Sequence, residues 1–244
     1  MSALDVILVF FGGVLAGGIN SMAGGGSLLT VPLLGLGGLE GLTANGTNRV
    51  AVLIQNASSA VSYAKRGVDV WRTSLPVVIP AVIGGVVGAT VVSNLDDEMF
   101  ERIFGFLMIP LLIMVVWKPK AKQSDKPWPT WLTSLVFLAV GIYAGAIQAG
   151  VGIILLLILA RAGYDLVTAN ALKTLVILGV TATAVPIFIA KGQVEWWPAI
   201  VLSAGMAIGG YAGAKFAVEG GERVIKPVLV VSVLALAGRM IGLY

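Results

Sequence analysis

The chain has 244 residues, of which 58% are hydrophobic and only 11% charged, and its formal net charge is +4. Ordinary soluble domains carry about 25% charged residues, so this composition excludes a soluble domain and indicates a polytopic membrane protein. The Lys and Arg excess then sets membrane orientation and is no sign of a nucleic-acid partner. The sequence has no Cys and no His, which excludes disulfides, thiolate chemistry and every common set of metal ligands except carboxylates. We expect no metal, no cofactor and no enzymatic activity.

Apolar segments of membrane-spanning length follow one another along the chain. A span needs about 20 apolar residues. The first and fifth segments are too long for one straight span, and glycines interrupt each near its middle. The sequence therefore predicts an all-α polytopic integral membrane protein with about eight membrane segments in two homologous halves, and with a glycine-broken or re-entrant helix at the start of each half. The segments cover 4–39, 44–63, 75–93, 99–117, 131–162, 168–190, 197–217 and 224–243.

The two halves of the chain resemble each other at a constant offset. TAN at 43–45 recurs at 168–170, and IGGVVGA at 83–89 recurs as IGGYAGA at 208–214, in both cases 125 residues later (168 against 43). This pattern predicts an internal duplication. Transporters are commonly built in this way, with a substrate site near the membrane midplane between the repeats.

The predicted organisation has three parts, and basic loops orient them. Lys65, Arg66 and Arg72 in one loop, and four lysines in the linker, predict that both are cytoplasmic. If each broken segment crosses the membrane once, the termini are cytoplasmic and the repeats parallel; if each crosses twice, the repeats are inverted and the termini outside. The charge pattern leaves both schemes open. The parts are an N-terminal transmembrane repeat (1–117), a polar cytoplasmic linker (118–130) and a C-terminal transmembrane repeat (131–244).

Two basic residues fall inside or at the edge of membrane segments. Arg49 lies in TANGTNRVAVL and Lys173 in TANALKTLVIL, and the offset makes Lys173 the equivalent of Asn48. Charge within a membrane is costly and is usually functional, and no Asp or Glu lies in the same stretches. We hypothesise that an anion is the missing partner. The alternative is that both side chains snorkel to the membrane interface.

The glycine breaks offer a second anion-binding feature. Gly24, Gly25 and Gly26 precede a short apolar helix that begins near Ser27, so their N–H groups and the positive end of the helix dipole would face into the protein. The stretch QAGVG at 148–152 could do the same in the second half. Glycine also permits close packing of helices, and this alternative role is expected for most of the other glycines. The predicted substrate-binding residues are Asn20, Gly24, Gly25, Gly26, Asn45, Thr47, Asn48, Arg49, Gln55, Gln148, Gly150, Gly152, Asn170, Lys173 and Thr174.

At these residues the sequence resembles the TauE/SafE family of sulfite exporters and related anion permeases. The resemblance covers essentially the whole chain and rests on GGINSMAGGGSLLTVPLL (17–34), GLTANGTNRVAVL (41–53) and YAKRGVDVWR (63–72). It implies a multi-helix permease of the bacterial-type cytoplasmic (inner) membrane that moves sulfite, sulfonates or similar anions, commonly outward. The second half departs from the family pattern, because GVG stands where a GxGGG-type motif is expected and ALKT replaces a GTS-like string.

These observations favour a secondary membrane transporter that binds a sulfur-containing oxyanion near the midplane through glycine-loop N–H groups and intramembrane Arg and Lys. The alternatives are a selective anion channel or a permease for a nonsulfur organic anion. The membrane segments show no cluster of His, Cys and carboxylate residues of the kind that a catalytic site would need. The expected partners are a small-molecule anion and the lipid bilayer, with no nucleic acid, and the sequence leaves a homo-oligomer open.

Overall fold

The computed structural model describes residues 3–39, 41–117 and 128–219. Every regular element in these ranges is an α-helix, which confirms the predicted all-α class. The predicted eighth segment (224–243) and most of the predicted linker lie outside the described residues. The helices, in chain order, are α1 (Ala3–Ala23), α2 (Ser27–Leu36), α3 (Gly41–Lys65), α4 (Trp71–Val92), α5 (Asp97–Trp117), α6 (Thr130–Ala146), α7 (Val151–Arg161), α8 (Leu166–Ala190) and α9 (Trp196–Glu219).

Four of the described helices are long and apolar enough to cross a membrane, namely α1 (over Ala3–Met22), α4, α8 and α9. Large apolar side chains also project outward, and Phe106 is 76% and Trp71 65% exposed. An apolar surface of this kind indicates contact with lipid. The described helices are therefore those of an integral membrane protein, while the count of eight segments and the division into two homologous halves stay predictions.

Glycine faces hold two pairs of helices in close contact. A Cβ atom at Gly209 of α9 would collide with the carbonyl oxygen of Val14 in α1, and one at Gly84 of α4 would collide with that of Leu138 in α6. Because only glycine permits these approaches, carbonyl oxygens of one helix lie directly against the backbone of the next. Close packing is thus the role that the structure gives to these two glycines.

Contacts along these helices also fix their directions. The glycine contacts advance together along α1 and α9, and along α4 and α6, so each pair is parallel. Ser58 and Ser62 of α3 donate to the carbonyl oxygens of Ala207 and Tyr211 in α9, each at 2.9 Å, so α3 is also parallel to α9. Since α1 and α3 therefore run the same way, α2 carries the chain back between them, and α1 and α2 form a re-entrant pair.

Helices α3 and α8 run in opposite directions. Arg49 near the start of α3 lies over the ring of Phe188 near the end of α8, whereas Ala64 near the end of α3 and Ala171 near the start of α8 line one groove. If α3 and α8 are equivalent, as the offset of 125 residues predicts, the two halves are inverted. The helix directions therefore favour the second of the two schemes that the charge pattern leaves open.

The first helix break lies where the glycines predict it. Helix α1 ends at Ala23 and α2 begins at Ser27. Gly24, between them, has a φ of +77°, a left-handed conformation that glycine adopts without steric cost. The prediction that residues 24–26 separate two helices is correct.

The second break begins earlier than predicted. Helix α6 ends at Ala146 and α7 begins at Val151, so the break consists of residues 147–150 and Gly152 lies in the first turn of α7. The reason is a left-handed backbone at Gln148 and Gly150, with φ of +66° and +68°, which turns the chain before residue 151. A positive φ is uncommon for a residue other than glycine, so Gln148 adopts its conformation at a cost in strain.

Helix α8 has a side-chain cap at its start. Asp165 accepts hydrogen bonds from the N–H groups of Val167 and Thr168, both at 3.0 Å. Slight burial alone would raise the pKa of Asp165, but the hydrogen bonds from Thr168 and Val167 outweigh it and the pKa is lowered. The carboxylate is therefore ionised at neutral pH, where it also interacts favourably with the positive end of the α8 dipole.

The glycine contacts give a first prediction. Gly209→Ala should lower the thermal unfolding temperature of the detergent-solubilised protein, because its methyl group would collide with the Val14 carbonyl oxygen. Gly105→Ala in α5 is the matched control, since a Cβ there meets nothing within 4 Å and alanine is the better helix former by about 1 kcal/mol. Equal unfolding temperatures for the two variants would contradict the packing role of Gly209.

Candidate functional site

The Arg49 side chain lies at the carboxyl end of α6. Its Nη1 donates to the carbonyl oxygen of Ala144 (3.1 Å) and to Oε1 of Gln148 (3.2 Å), and its Nη2 donates to the carbonyl oxygen of Ala146 (2.9 Å). The guanidinium also lies 4.6 Å from the centroid of the Phe188 ring, a cation–π contact. The side chain is fully buried. Arg49 therefore holds the last carbonyl groups of a helix that ends inside the protein, where a cation also balances the negative end of the dipole.

Two asparagines lie beside Arg49 on the same face of α3. Asn45 donates through Nδ2 to the Ala146 carbonyl oxygen at 3.2 Å. Asn48 accepts through Oδ1 from the hydroxyl of Thr30 at 2.6 Å, which connects it to the first turns of α2. Both asparagines are completely buried. We name this group the Arg49 cluster, defined as Thr30, Asn45, Asn48, Arg49 and Gln148.

The Lys173 side chain has the corresponding position at the carboxyl end of α1. Its Nζ donates to the carbonyl oxygens of Asn20 (2.7 Å) and Ser21 (3.2 Å) and to Oδ1 of Asn170 (2.7 Å). An ammonium group has three protons, so these acceptors occupy all of them. The side chain is 1% exposed. Like Arg49, Lys173 satisfies carbonyl groups where a helix ends within the membrane protein.

A polar network from α3 surrounds the end of α1. Asn20 donates through Nδ2 to Oε1 of Gln55 at 2.6 Å, and Gln55 donates through Nε2 to the hydroxyls of Ser21 and Ser59, each at 2.8 Å. The hydroxyl of Tyr63 donates to the Ser21 carbonyl oxygen at 3.0 Å. We name the second group the Lys173 cluster, defined as Asn20, Ser21, Gln55, Ser59, Tyr63, Asn170 and Lys173.

The two helix breaks touch each other between the clusters. A Cβ at Gly24 would collide with the carbonyl carbon of Gly152. The Ser27 hydroxyl donates to the Gln148 carbonyl oxygen (3.3 Å) and accepts from the Gly150 N–H (3.2 Å). The starts of α2 and α7 and the ends of α1 and α6 therefore meet within the protein.

Two backbone N–H groups at this meeting point have no carbonyl acceptor within the described ranges. Among the described residues, no carbonyl oxygen accepts a hydrogen bond from the N–H of Gly25 or Gly26. Both groups precede α2, where the helix dipole adds partial positive charge. This is the arrangement that binds anions at helix amino termini.

The site has positive charge, and no buried carboxylate in the described part of the chain balances it. No Asp or Glu is among the buried residues of the described chain, and the one ion pair found there, Arg102 with Glu98, is exposed. The described residues also contain no group of three or more His, Cys, Asp or Glu that could hold a metal ion. The chemistry available here is binding by N–H donors and positive charge.

All fifteen predicted substrate-binding residues are buried. Arg49 and Lys173 are buried inside the protein. Their side chains therefore do not extend to the membrane interface, as the snorkelling alternative would require. Thr47 lies apart from both clusters, because its hydroxyl accepts from the N–H of Glu195 at 2.9 Å before α9. Thr174 donates to the Asn170 carbonyl oxygen of its own helix at 2.9 Å. Gly152 lies in the first turn of α7, and the other predicted residues belong to the Arg49 cluster, to the Lys173 cluster or to the two helix breaks.

The sequence analysis missed several partners of these side chains. Thr30 is a single hydroxyl in the apolar helix α2, and Tyr63 and Phe188 carry no local signal of their roles. Ser21 and Ser59 continue the polar spacing around Asn20 and Gln55, which could have identified them. A separate groove of about 440 Å³ between α3 and α8 has an almost wholly apolar lining and suits a lipid chain better than an anion.

Comparison with known proteins connects this geometry to a family. A family model described as "Sulfite exporter TauE/SafE" matches residues 9–240. The chain belongs to the TauE/SafE family. This confirms the resemblance in the sequence motifs and identifies the protein as a member of a family of membrane transporters.

Curated relatives are similar to the chain over almost its full length. A probable membrane transporter protein, ORF9, of Sinorhizobium sp is 29% identical over 238 residues, which is 96% of this chain and 91% of the relative. A probable membrane transporter protein of Haemophilus influenzae is 26% identical and covers 98% of this chain and 95% of its own. The probable membrane transporter protein YfcA of Escherichia coli is 24% identical, with 99% of this chain and 91% of its own covered. The TauE/SafE assignment therefore applies to the whole chain.

The contacts of Lys173 give a second prediction. Lys173→Met should lower the thermal stability of the protein in detergent, because it removes three buried hydrogen bonds and leaves Oδ1 of Asn170 without its donor, and a buried acceptor left in this way costs about 1–3 kcal/mol. The carbonyl oxygens of Asn20 and Ser21 keep the Gly24 N–H and the Tyr63 hydroxyl as donors. The control is Lys191→Met, because Lys191 is exposed and its Nζ donates to Oδ1 of Asn94. Its loss should change the free energy of unfolding by less than about 0.5 kcal/mol. An unchanged unfolding temperature for Lys173→Met would show that the end of α1 does not depend on this lysine.

Proposed function

We propose that the protein is a secondary transporter of sulfur-containing oxyanions, such as sulfite or sulfonates, that acts in export across a bacterial-type cytoplasmic (inner) membrane. The anion binds where the two helix breaks meet, near the membrane midplane. The observation that carries this proposal is the pair of buried cations, Arg49 and Lys173, which hold two neighbouring helix ends without a buried carboxylate in the described chain.

The chemistry of the site supports an anion over other ligands. A cation or a neutral apolar molecule would gain nothing from two buried positive charges, whereas an anion lowers their electrostatic cost. The N–H groups of Gly25 and Gly26 add directional donors that a trigonal or tetrahedral oxyanion accepts. The sulfur chemistry of the ligand rests on the family to which the chain belongs, described as sulfite exporters.

The helix breaks support a carrier. Discontinuous helices that meet at the midplane are typical of secondary transporters, in which two bundles move around a fixed site. Arg49 of α3 contacts α6, and Lys173 of α8 contacts α1, so both cations connect helices that such a motion would shift.

The helix directions and the loop charges also support a proposal for the orientation of the protein in the membrane. With inverted halves, the loop that holds Lys65, Arg66 and Arg72 lies on the same side as the lysine-rich linker, and this side is cytoplasmic by the positive-inside rule. The acidic turn at Asp96 and Asp97 then lies outside. Both chain termini are also outside in this scheme.

The decisive test is anion binding to wild type and to Arg49→Gln. A panel of sulfite, thiosulfate, sulfonates, sulfate, carboxylates and chloride is added to the purified protein, and thermal unfolding is measured. We expect a sulfur oxyanion to stabilise wild type by about 2.7 kcal/mol at a hundredfold excess over its Kd, and to leave Arg49→Gln unshifted. Arg66→Gln is the matched control, because Arg66 lies at the end of the same helix and donates to Ser62.

Flux in liposomes completes the test. A carrier accelerates uptake of labelled sulfite when unlabelled sulfite is loaded inside, and a channel does not. If carboxylates alone stabilise the protein, its ligand is a nonsulfur organic anion and not a sulfur oxyanion. Stabilisation of Arg49→Gln equal to that of wild type would remove the arginine from the binding site.

A further inference from the structure

Three buried polar atoms at the start of α3 have no hydrogen-bond partner in the described chain. They are Oδ1 of Asn45, Nδ2 of Asn48 and Nε of Arg49, and all three side chains are 0% exposed. Native proteins leave few buried polar atoms unpaired, because each one forfeits its bonds with water. Three within five residues of one helix therefore require an explanation.

The three residues share a face of α3, and their other atoms fix their orientation. Positions 45, 48 and 49 have the spacing i, i+3 and i+4, which places them side by side. Nδ2 of Asn45 is held by the Ala146 carbonyl oxygen, so its Oδ1 is the free atom. Oδ1 of Asn48 is held by the Thr30 hydroxyl, so its Nδ2 is free. The free set is two donors, one of them on a cation, and one acceptor.

The Lys173 cluster has no such atoms. All three Nζ protons of Lys173 are accepted, and Asn170 uses Oδ1 for Lys173 and Nδ2 for the Leu166 carbonyl oxygen. None of the buried polar side-chain atoms left unpaired in the described chain belongs to this cluster. Lys173 is thus a positioning residue for the end of α1, and it adds positive charge without a free donor.

We propose that Asn45, Asn48 and Arg49 form the subsite that contacts the ligand, and that the ligand is an oxyanion which itself carries a hydrogen-bond donor. Hydrogensulfite, hydroxysulfonates and aminosulfonates have this chemistry. The ionised oxygens accept from Asn48 Nδ2 and Arg49 Nε, and the hydroxyl or ammonium group donates to Asn45 Oδ1. The inference rests on the proposed function and narrows its substrate class.

An oxyanion without a proton fits this subsite less well. Each of its oxygens is an acceptor, so the one placed against Asn45 Oδ1 would face another acceptor and leave it unpaired. The cost is that of one buried hydrogen bond, which corresponds to about a tenfold loss in affinity. The subsite would therefore distinguish ligands of equal charge by their donor.

Matched ligands test this directly. Binding of labelled sulfite is measured in detergent at mildly acidic pH, where sulfite is present as hydrogensulfite, and unlabelled anions compete. Isethionate and ethanesulfonate are the charge-matched pair, because both are monoanions with the same two-carbon sulfonate skeleton and only isethionate carries a hydroxyl group. Taurine carries an ammonium group and is a zwitterion without net charge. We expect hydrogensulfite, or a donor-bearing sulfonate, to bind about tenfold more tightly than ethanesulfonate.

Substitutions assign the effect to atoms. Asn45→Leu should abolish the preference over ethanesulfonate, because it removes the acceptor. Arg49→Lys keeps the charge but lacks Nε, so it should weaken the binding of every ligand. Asn48→Leu should weaken the binding of every ligand as well. Asn56→Leu is the matched control on the same helix, because Nδ2 of Asn56 already donates to the Val52 carbonyl oxygen and to Gln55, and it should keep the preference. Lys173→Met should lower the affinity for all monoanions by the same factor.

The outcomes separate the inference from the proposed function. If anions bind but ethanesulfonate binds as tightly as each donor-bearing ligand, the inference is wrong and the transporter proposal stands. An unchanged preference in a folded Asn45→Leu variant, or a preference that is lost in Lys173→Met, would also overturn it. If no sulfur oxyanion binds wild type, the proposed function itself fails. Preference for hydrogensulfite, isethionate or taurine identifies which of the three ligand chemistries the subsite accepts.

Discussion

The structure depends on the need to satisfy two helix ends inside an apolar environment. Helices α1 and α6 end at Ala23 and Ala146. In an apolar environment, no bulk water is present to donate hydrogen bonds to their last carbonyl groups. Lys173 and Arg49 donate to these carbonyl oxygens and place a positive charge at the negative end of each dipole. The same two contacts bring positive charge, without a buried carboxylate in the described chain, to the point where α2 and α7 begin. The proposed anion site depends on this charge.

These contacts also connect two groups of helices. Helices α1, α3 and α9 form one parallel group, joined through glycine and serine contacts. In the other group, α4 packs on α6, and Gly85 of α4 contacts Val180 of α8. Arg49 reaches from α3 to α6, and Lys173 reaches from α8 to α1. Each cation therefore bridges the two groups, so an anion that competes for their donors would also alter the contact between the groups, as alternating access requires.

Local sequence signals predicted what depends on local chemistry. The three glycines at 24–26 locate the first break, and unpaired charge in apolar stretches identified Arg49 and Lys173. The predicted position of the second break was wrong, because Gln148 has a left-handed conformation that its residue type does not signal. Its contacts with Arg49 and Ser27 come from distant parts of the chain. Thr30 and Phe188 contact Asn48 and Arg49 from distant parts of the chain, and no spacing rule within one helix brings such residues together.

The position of each cation on its helix decides which asparagine is free. At the predicted offset of 125 residues, Asn45 corresponds to Asn170 and Asn48 to Lys173. In α8 the lysine lies three residues after the asparagine and occupies its Oδ1. In α3 the arginine lies four residues after Asn45, and it extends to the Ala144 and Ala146 carbonyl oxygens instead. If the two helices are equivalent, a shift of one residue in the position of the cation therefore occupies the asparagine acceptor in one cluster and leaves it open in the other, so the proposed duplication is compatible with a single asymmetric ligand site.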